Sequence, residues 1–235
     1  MTDTGRRAEL AASLERVRER IARACVAAGR PPDAVTLTAV TKTYPASDVL
    51  LLAGLGVTDV AENRDQEASV KTDVVRAEGV RLRWHFVGQL QRNKAKSVAG
   101  YADVIESVDS VRLAEALSRA AAGREVPIEV LLQVSLDSDP ARGGVSGDDL
   151  WRVSDAVTSS EGLRLGGLMA VAPLGADPRP AFARLQVLAG QMALRYPGAD
   201  TVSAGMSGDL EAAVEYGATH VRIGTSLLGM RNSLR

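Results

Sequence analysis

Apolar residues recur at helical spacing at the start of the chain. The apolar positions are Leu10, Leu14, Val17, Ile21, Ala24, Cys25 and Ala28. Arginine and glutamate residues fill the positions between them, and Gly29-Arg30-Pro31-Pro32 ends the pattern as a helix stop does. We therefore predict an amphipathic helix within residues 1–30 that packs on the rest of the fold.

Downstream, short β-rich runs alternate with helical segments. The predicted strands are residues 35–40, 57–61, 84–87, 104–108, 128–136, 163–171, 201–204 and 221–223. The predicted helices between them are residues 47–55, 64–78, 90–99, 110–122, 147–159, 179–195 and 210–216. Such βα alternation is typical of parallel strands joined by right-handed crossovers.

The number of units favours a closed barrel. Eight βα units in about 200 residues match the lower size range of a (β/α)8 barrel. The alternative is an open doubly wound sheet, whose first turn usually carries glycines. Here that turn is Thr41-Lys42-Thr43-Tyr44-Pro45, without glycine. We predict an α/β fold in which residues 1–235 form a single TIM-type barrel domain with an extra N-terminal helix.

Composition narrows the range of partners. The chain has 235 residues, a net charge of -1 and only 3% aromatic residues, so it lacks the basic field and stacking side chains that nucleic-acid binding uses. One cysteine excludes an internal disulfide, and two histidines far apart in sequence make a metal site a weak hypothesis. We see no membrane segment or signal peptide, so we expect a cytoplasmic protein that binds neither membrane nor metal.

Lysine is rare, and one lysine occupies a position where barrels place chemistry. The lysines are Lys42, Lys71, Lys94 and Lys96, against 28 basic residues in all. Lys42 follows the first predicted strand, and functional residues of barrels lie at the C-terminal ends of strands. Apolar surroundings would favour its neutral amine, a nucleophile toward aldehydes, which suggests Schiff-base chemistry. The alternative is a lysine that only extends from the strand end to water.

The loops after the last two strands resemble a phosphate site. They read Ser203-Ala204-Gly205-Met206-Ser207-Gly208-Asp209 and Arg222-Ile223-Gly224-Thr225-Ser226. Barrels often bind phosphate between these two loops, where Ser207 and Thr225 offer hydroxyls and Gly224 allows close approach to the backbone. Helix capping by Ser207 and Thr225 is the alternative. An aldehyde-reactive lysine beside a phosphate site points to pyridoxal 5′-phosphate (PLP), which carries both groups on one ring.

Several motifs in order resemble the pyridoxal phosphate homeostasis proteins, relatives of the N-terminal barrel of alanine racemase. The motifs are Ala39-Val40-Thr41-Lys42-Thr43, Ala61-Glu62-Asn63-Arg64-Asp65-Gln66-Glu67, Trp84-His85-Phe86-Val87-Gly88-Gln89-Leu90-Gln91-Arg92-Asn93-Lys94, Gly167-Leu168-Met169, Gly205-Met206-Ser207 and Val221-Arg222-Ile223-Gly224-Thr225. The resemblance implies that Lys42 forms the Schiff base and that Asn63 lies beside the ring. It further implies that Met206, Ser207, Gly224 and Thr225 belong to the cofactor site, the last three holding the phosphate, and that Arg222 faces the pyridine nitrogen.

Arg222 argues against catalysis. An arginine does not give up its proton, so it disfavours the protonated pyridine that stabilises carbanions. Racemases with this barrel also use a tyrosine from a second domain, for which a chain ending at Arg235 leaves no room. We therefore expect a monomeric PLP carrier that serves intracellular PLP homeostasis and passes PLP to apo-enzymes. The alternatives are a PLP-dependent amino-acid racemase and a lysine Schiff-base aldolase.

Three further features, one residue, one loop and one tripeptide, have no role assigned by the resemblance and carry expectations of their own. His85 either contacts the ligand near the barrel mouth or is a buried histidine with satisfied hydrogen bonds. Residues 137–149 form a loop that we expect to be mobile. Within it, Ala141-Arg142-Gly143 stands where family members often have a lysine before a glycine.

Overall fold

A closed eight-stranded barrel forms the centre of the computed structural model, which describes residues 3–137, 143–173 and 175–229. The strands are Thr36–Val40 (β1), Asp59–Glu62 (β2), Arg83–Phe86 (β3), Val104–Val108 (β4), Ile128–Gln133 (β5), Leu163–Met169 (β6), Thr201–Ser203 (β7) and His220–Ile223 (β8). They follow one another in chain order, every neighbouring pair is parallel, and β8 closes on β1. The predicted α/β barrel is confirmed.

Helices surround the barrel. They are Asp3–Ala27 (α1), Ala46–Gly54 (α2), Asp65–Ala77 (α3), Ala95–Tyr101 (α4), Val111–Ala121 (α5), Asp148–Thr158 (α6), Arg179–Arg195 (α7), Leu210–Glu215 (α8) and Thr225–Leu228 (α9). The predicted helix at residues 90–99 begins instead as a 3-10 turn at Arg92–Lys94 before α4. Across the described residues, no helix combines the length and apolar character needed to span a membrane.

The N-terminal helix packs on the barrel as expected. Its apolar positions Leu10, Leu14, Val17 and Ile21 are buried in a cluster with residues of β1, α2 and α8. Two ion pairs at its edge join it to neighbouring helices: Arg6 to Asp48 at 2.7 Å and Arg20 to Glu211 at 2.6 Å. Because ion pairs at a protein surface contribute little and only the Arg6–Asp48 pair of these two is largely buried, the apolar burial holds most of this helix in place.

Strand register brings the two ends of the barrel sheet together. Thr38 of β1 lies opposite Asp59 of β2 on one side and Arg222 of β8 on the other. Parallel strands carry their C-terminal ends to the same rim, so the segments after β1, β7 and β8 become neighbours. Residues far apart in sequence thereby meet at one mouth of the barrel.

Candidate functional site

A cavity of about 470 Å³ lies where the segments after β1, β7 and β8 meet. It is lined by Val40, Lys42, Thr43, Tyr44, Met206, Ser207, Gly208, Arg222, Gly224, Thr225 and Gly229. The cavity therefore contains all the sequence-predicted site residues except Asn63. Asn63 follows β2, and its Oδ1 atom is buried without a hydrogen-bond donor among the described residues.

The wall formed after β7 and β8 offers hydroxyls and backbone amides. Ser207 is half-buried and Thr225 is exposed. The N-cap residues of α8 and α9 are Asp209 and Gly224, and no described side chain makes a capping bond at either helix start. The alternative that Ser207 and Thr225 serve as helix caps therefore has no support, and both residues line the cavity.

Lys42 lines the cavity from the segment after β1, two residues after the last residue of that strand. The expectation of a desolvated lysine is wrong, because Lys42 is exposed while its neighbour Thr41 is buried. Strand β1 ends before Lys42, so the side chain is no longer enclosed by neighbouring strands. Its amine is therefore reachable from solvent at the cavity.

Arg222 lines the cavity and is only 5% exposed. Its Nη1 donates to Ser203 Oγ at 2.6 Å and its Nη2 donates to the Ala170 carbonyl at 2.9 Å. Ser203 Oγ in turn donates to Glu106 Oε2 at 2.6 Å, and this oxygen lies 3.7 Å from Arg222 Nη1. Burial lowers the pKa of Arg222, while the charge of Glu106 opposes that shift.

His85 lies deeper in the barrel, between two carboxylates. Its Nδ1 is 2.6 Å from Glu106 Oε1 and its Nε2 is 3.0 Å from Asp59 Oδ1. Burial alone would lower the pKa of His85, but the hydrogen bonds to Asp59 and Glu106 outweigh it and raise the pKa to about 9. Since ionised carboxylates only accept hydrogen bonds, these two contacts favour a protonated His85 that donates from both ring nitrogens. Of its two expected roles, the satisfied buried histidine fits the structure.

Glu106 links His85 to Arg222. Burial would raise the pKa of Glu106, but its hydrogen bond to His85 and the charges of His85 and Arg222 lower it to about 2. The second histidine, His220, lies near this group, with its ring centroid 6.3 Å from that of His85. Burial lowers the pKa of His220, and the positive charge of His85 adds to the effect. We call Asp59, His85, Glu106, Ser203 and Arg222 the interior network.

A second buried cluster supports the Lys42 segment. Lys71 Nζ lies 2.5 Å from Glu62 Oε1 and 2.9 Å from Glu67 Oε1, and donates to the Thr41 carbonyl at 2.8 Å. Glu62 and Glu67 belong to a motif in the sequence but had no predicted role, and neither did Lys71. The available signal was the rarity of lysine, together with two glutamates at the end of one strand and the start of the next helix.

The remaining predicted positions lie apart from the cavity. Lys94 pairs with Asp65 at 3.6 Å, and Lys96 is exposed. Residues 138–142, which include Ala141 and Arg142 and form part of the loop at 137–149 expected to be mobile, are outside the described residues.

Comparison with known proteins first identifies the class of protein to which this barrel belongs. Residues 12–232 match the alanine racemase N-terminal domain family. A solved alanine racemase from E. faecalis is 16% identical with a TM-score of 0.70, over 96% of this chain and 59% of that chain. At this identity, the likeness shows a shared barrel fold.

Relatives with higher sequence identity than the alanine racemase identify the family within that class. The pyridoxal phosphate homeostasis protein of Mycobacterium leprae is 43% identical, covering 95% of this chain and 93% of the relative, and that of Escherichia coli K12 is 37% identical over 95% and 97%. The structure of PipY from Synechococcus elongatus with PLP bound is 33% identical, with a TM-score of 0.82 over 94% of this chain and 100% of that chain. The chain belongs to the pyridoxal phosphate homeostasis protein family, which confirms the resemblance.

Proposed function

We propose that this chain binds PLP covalently through Lys42 and serves intracellular PLP homeostasis without substantial catalytic turnover. The observation that carries the proposal is one cavity whose lining includes Lys42, Ser207 and Thr225 together. When bound, PLP supplies an aldehyde that condenses with an amine, with loss of water, and a phosphate on the same ring. PLP in the PipY structure and the names of the curated relatives support the same ligand.

The donors at the cavity match the functional groups of PLP one by one. The amine of Lys42 suits the aldehyde, and the hydroxyls of Ser207 and Thr225 suit the phosphate. Gly224 and the start of α9 add backbone amides, since the first amides of a helix have no intrahelical acceptor. Met206 adds apolar surface to this wall. We assign Arg222 to the pyridine nitrogen and Asn63 to the edge of the ring.

Exposure of Lys42 suits a carrier. A covalent link at an exposed lysine is open to water and to competing amines, and either can release the ligand. Transfer to apo-enzymes that use PLP would follow the same route. The carrier role thus agrees with the exposure of Lys42, because a lysine shielded from solvent would not allow this release.

Two features of the cavity argue against turnover. Arg222 hydrogen-bonds to Ser203, whose hydroxyl reaches Glu106, and a guanidinium held in this way disfavours a protonated pyridine ring. Among the described residues that line the cavity there is no carboxylate and no histidine, and the Tyr44 hydroxyl donates to the Gly229 carbonyl at 2.5 Å. A racemase or aldolase needs an acid and a base beside the lysine.

The test of binding is a PLP titration followed by borohydride reduction and peptide mapping. We expect a visible absorption band and a reduced label on the peptide that contains Lys42. The matched control is Lys96→Ala, which removes an exposed lysine that is absent from the cavity lining and should bind as the wild type does. A colourless protein that takes up no PLP would contradict the proposal.

The test of turnover uses the PLP-loaded chain with L-amino acids in deuterated water, followed by NMR. We expect Cα exchange and product formation no faster than with free PLP. Exchange well above that level, abolished by Lys42→Ala, would place the chain among the enzymes.

A further inference from the structure

The backbone beside Lys42 is strained. Thr43 has a φ of 68°, and no other described residue except glycines has a positive φ. A β-branched residue rarely adopts this left-handed conformation. Such strain persists only where neighbouring groups hold the backbone in place, and it is often found at functional sites.

Both residues that flank Lys42 are tied to one cluster of charged side chains. The Thr43 amide donates to Glu67 Oε1 at 2.5 Å. On the other side of Lys42, the Thr41 carbonyl accepts from Lys71 Nζ at 2.8 Å, and Thr41 Oγ1 donates to Glu62 Oε1 at 2.6 Å. Hydrogen bonds therefore fix the backbone immediately before and immediately after Lys42, which lines the cavity.

Lys71 is the centre of this cluster. Its side chain is 4% exposed, and it pairs with Glu62, whose side chain is fully buried, and with Glu67, which is 27% exposed. An ammonium group has three donors, and the Thr41 carbonyl and the two carboxylates use all of them. Lys71 has no donor left for a ligand, and it is absent from the cavity lining. Its influence on the cavity passes through the backbone.

We propose that Lys71 is a positioning residue: together with Glu62 and Glu67 it locks the strained turn that presents the Lys42 amine to the cavity. The inference rests on the proposed function, because that function makes Lys42 the point of attachment. The phosphate wall, after β7 and β8, is built separately from this cluster. Loosening the cluster therefore weakens the covalent step and leaves phosphate binding intact.

The main variant is Glu67→Gln, because Glu67 is partly exposed and its replacement keeps the side-chain shape. Lys71→Met removes the positive charge at the centre of the cluster, whereas Lys71→Arg keeps it. Lys96→Met is the control at an exposed lysine. Two ligands are compared by calorimetry and absorption: PLP, and pyridoxine 5′-phosphate, which keeps the ring and phosphate but has no aldehyde.

We expect Glu67→Gln and Lys71→Met to weaken PLP binding by about tenfold or more, since small displacements of a reacting group carry penalties of this size. Affinity for pyridoxine 5′-phosphate stays within about twofold of the wild type, because the phosphate wall is untouched. Lys71→Arg recovers part of the PLP affinity, and Lys96→Met changes neither ligand. A role in folding alone would change both affinities together or neither.

Amide exchange in the ligand-free chain supplies a second measurement. The Thr43 amide should exchange slowly in the wild type and in Lys96→Met, and faster in Glu67→Gln and Lys71→Met. If Lys71→Met does not fold, Glu67→Gln decides the question alone. Normal PLP affinity in Glu67→Gln, or an equal loss of both ligands, overturns this inference and leaves the proposed function standing. A wild-type chain that binds no PLP overturns both.

Discussion

The mouth of the barrel and the interior network use polar side chains in opposite ways. At the mouth, Lys42 and Thr225 are exposed and Ser207 is half-buried. In the interior network, every member is buried and hydrogen-bonded to another member. The difference separates residues that we expect to govern ligand binding from residues that we expect to govern stability, with Arg222 belonging to both.

The interior network also departs from the usual filling of such barrels. Branched apolar side chains commonly dominate the interior layers. Here an apolar cluster of Val104, Leu131 and Met169 occupies one part of the interior, and the charged network occupies another. Buried charges are tolerated only when they are paired, so each member of the network depends on its partners.

The largest effect on stability is expected from Glu106→Gln. The substitution leaves the positive charges of His85 and Arg222 without their shared carboxylate, so the free energy of unfolding should fall by about 3–5 kcal/mol. Urea denaturation measures the change. The matched control, Glu161→Gln at an exposed position, should remain within about 0.5 kcal/mol of the wild type. An equally small change for Glu106→Gln would show that the network contributes no stability.

A smaller effect, confined to binding, is expected from Ser207→Ala combined with Thr225→Ala. Loss of both hydroxyls should reduce PLP affinity by roughly 1–3 kcal/mol in all, while stability changes by less than about 0.5 kcal/mol. Ser226→Ala, next to Thr225 but absent from the cavity lining, is the control. Pyridoxal without its phosphate should bind weakly to every variant. Equal wild-type affinities for pyridoxal and PLP would rule out this phosphate wall.

The pH dependence of stability should include a contribution from the interior network at the alkaline end and another at the acidic end. The pKa of His85 is raised from 6.5 to about 9, so its contribution is fully present below pH 6.5 and is lost as the pH rises through 9. The pKa of Glu106 is lowered from 4.5 to about 2, so its contribution is present above pH 4.5 and is lost as the pH falls through 2. His85→Gln should flatten the alkaline fall measured by urea denaturation. A wild-type stability that stays constant between pH 6.5 and 9 would contradict this assignment.

Local patterns were enough to predict most elements of the fold. The bounds of β4 and α7 agree with the predicted residues 104–108 and 179–195. The predicted strands at 128–136 and 163–171 are longer than the observed strands, which end at Gln133 and Met169. The predictions ran too far because buried apolar residues such as Val134 and Leu136 continue after the strand β5 has ended. Hydrophobicity reports burial, and burial does not stop where strand pairing stops.

The mouth could be predicted because a barrel brings the C-terminal ends of its strands to one rim. The interior network could not, because His85 and Glu106 meet through pairing of β3 with β4 and through register across the barrel. A signal was present in Val104-Ile105-Glu106-Ser107-Val108, where a carboxylate lies within a buried strand and needs a partner. The end of β1 at Val40 agrees with the predicted strand 35–40, but the apolar pattern carries no information on how far Lys42, two residues beyond it, is enclosed.

The central claim is that binding at the mouth is separable from stability in the interior, and Lys42→Ala tests it most directly. The measurement is PLP labelling after borohydride reduction, with the free energy of unfolding determined on the same sample. The account predicts that the reduced label disappears while stability remains within about 0.5 kcal/mol of the wild type. Undiminished labelling at Lys71, Lys94 or Lys96, or a large loss of stability, would contradict it.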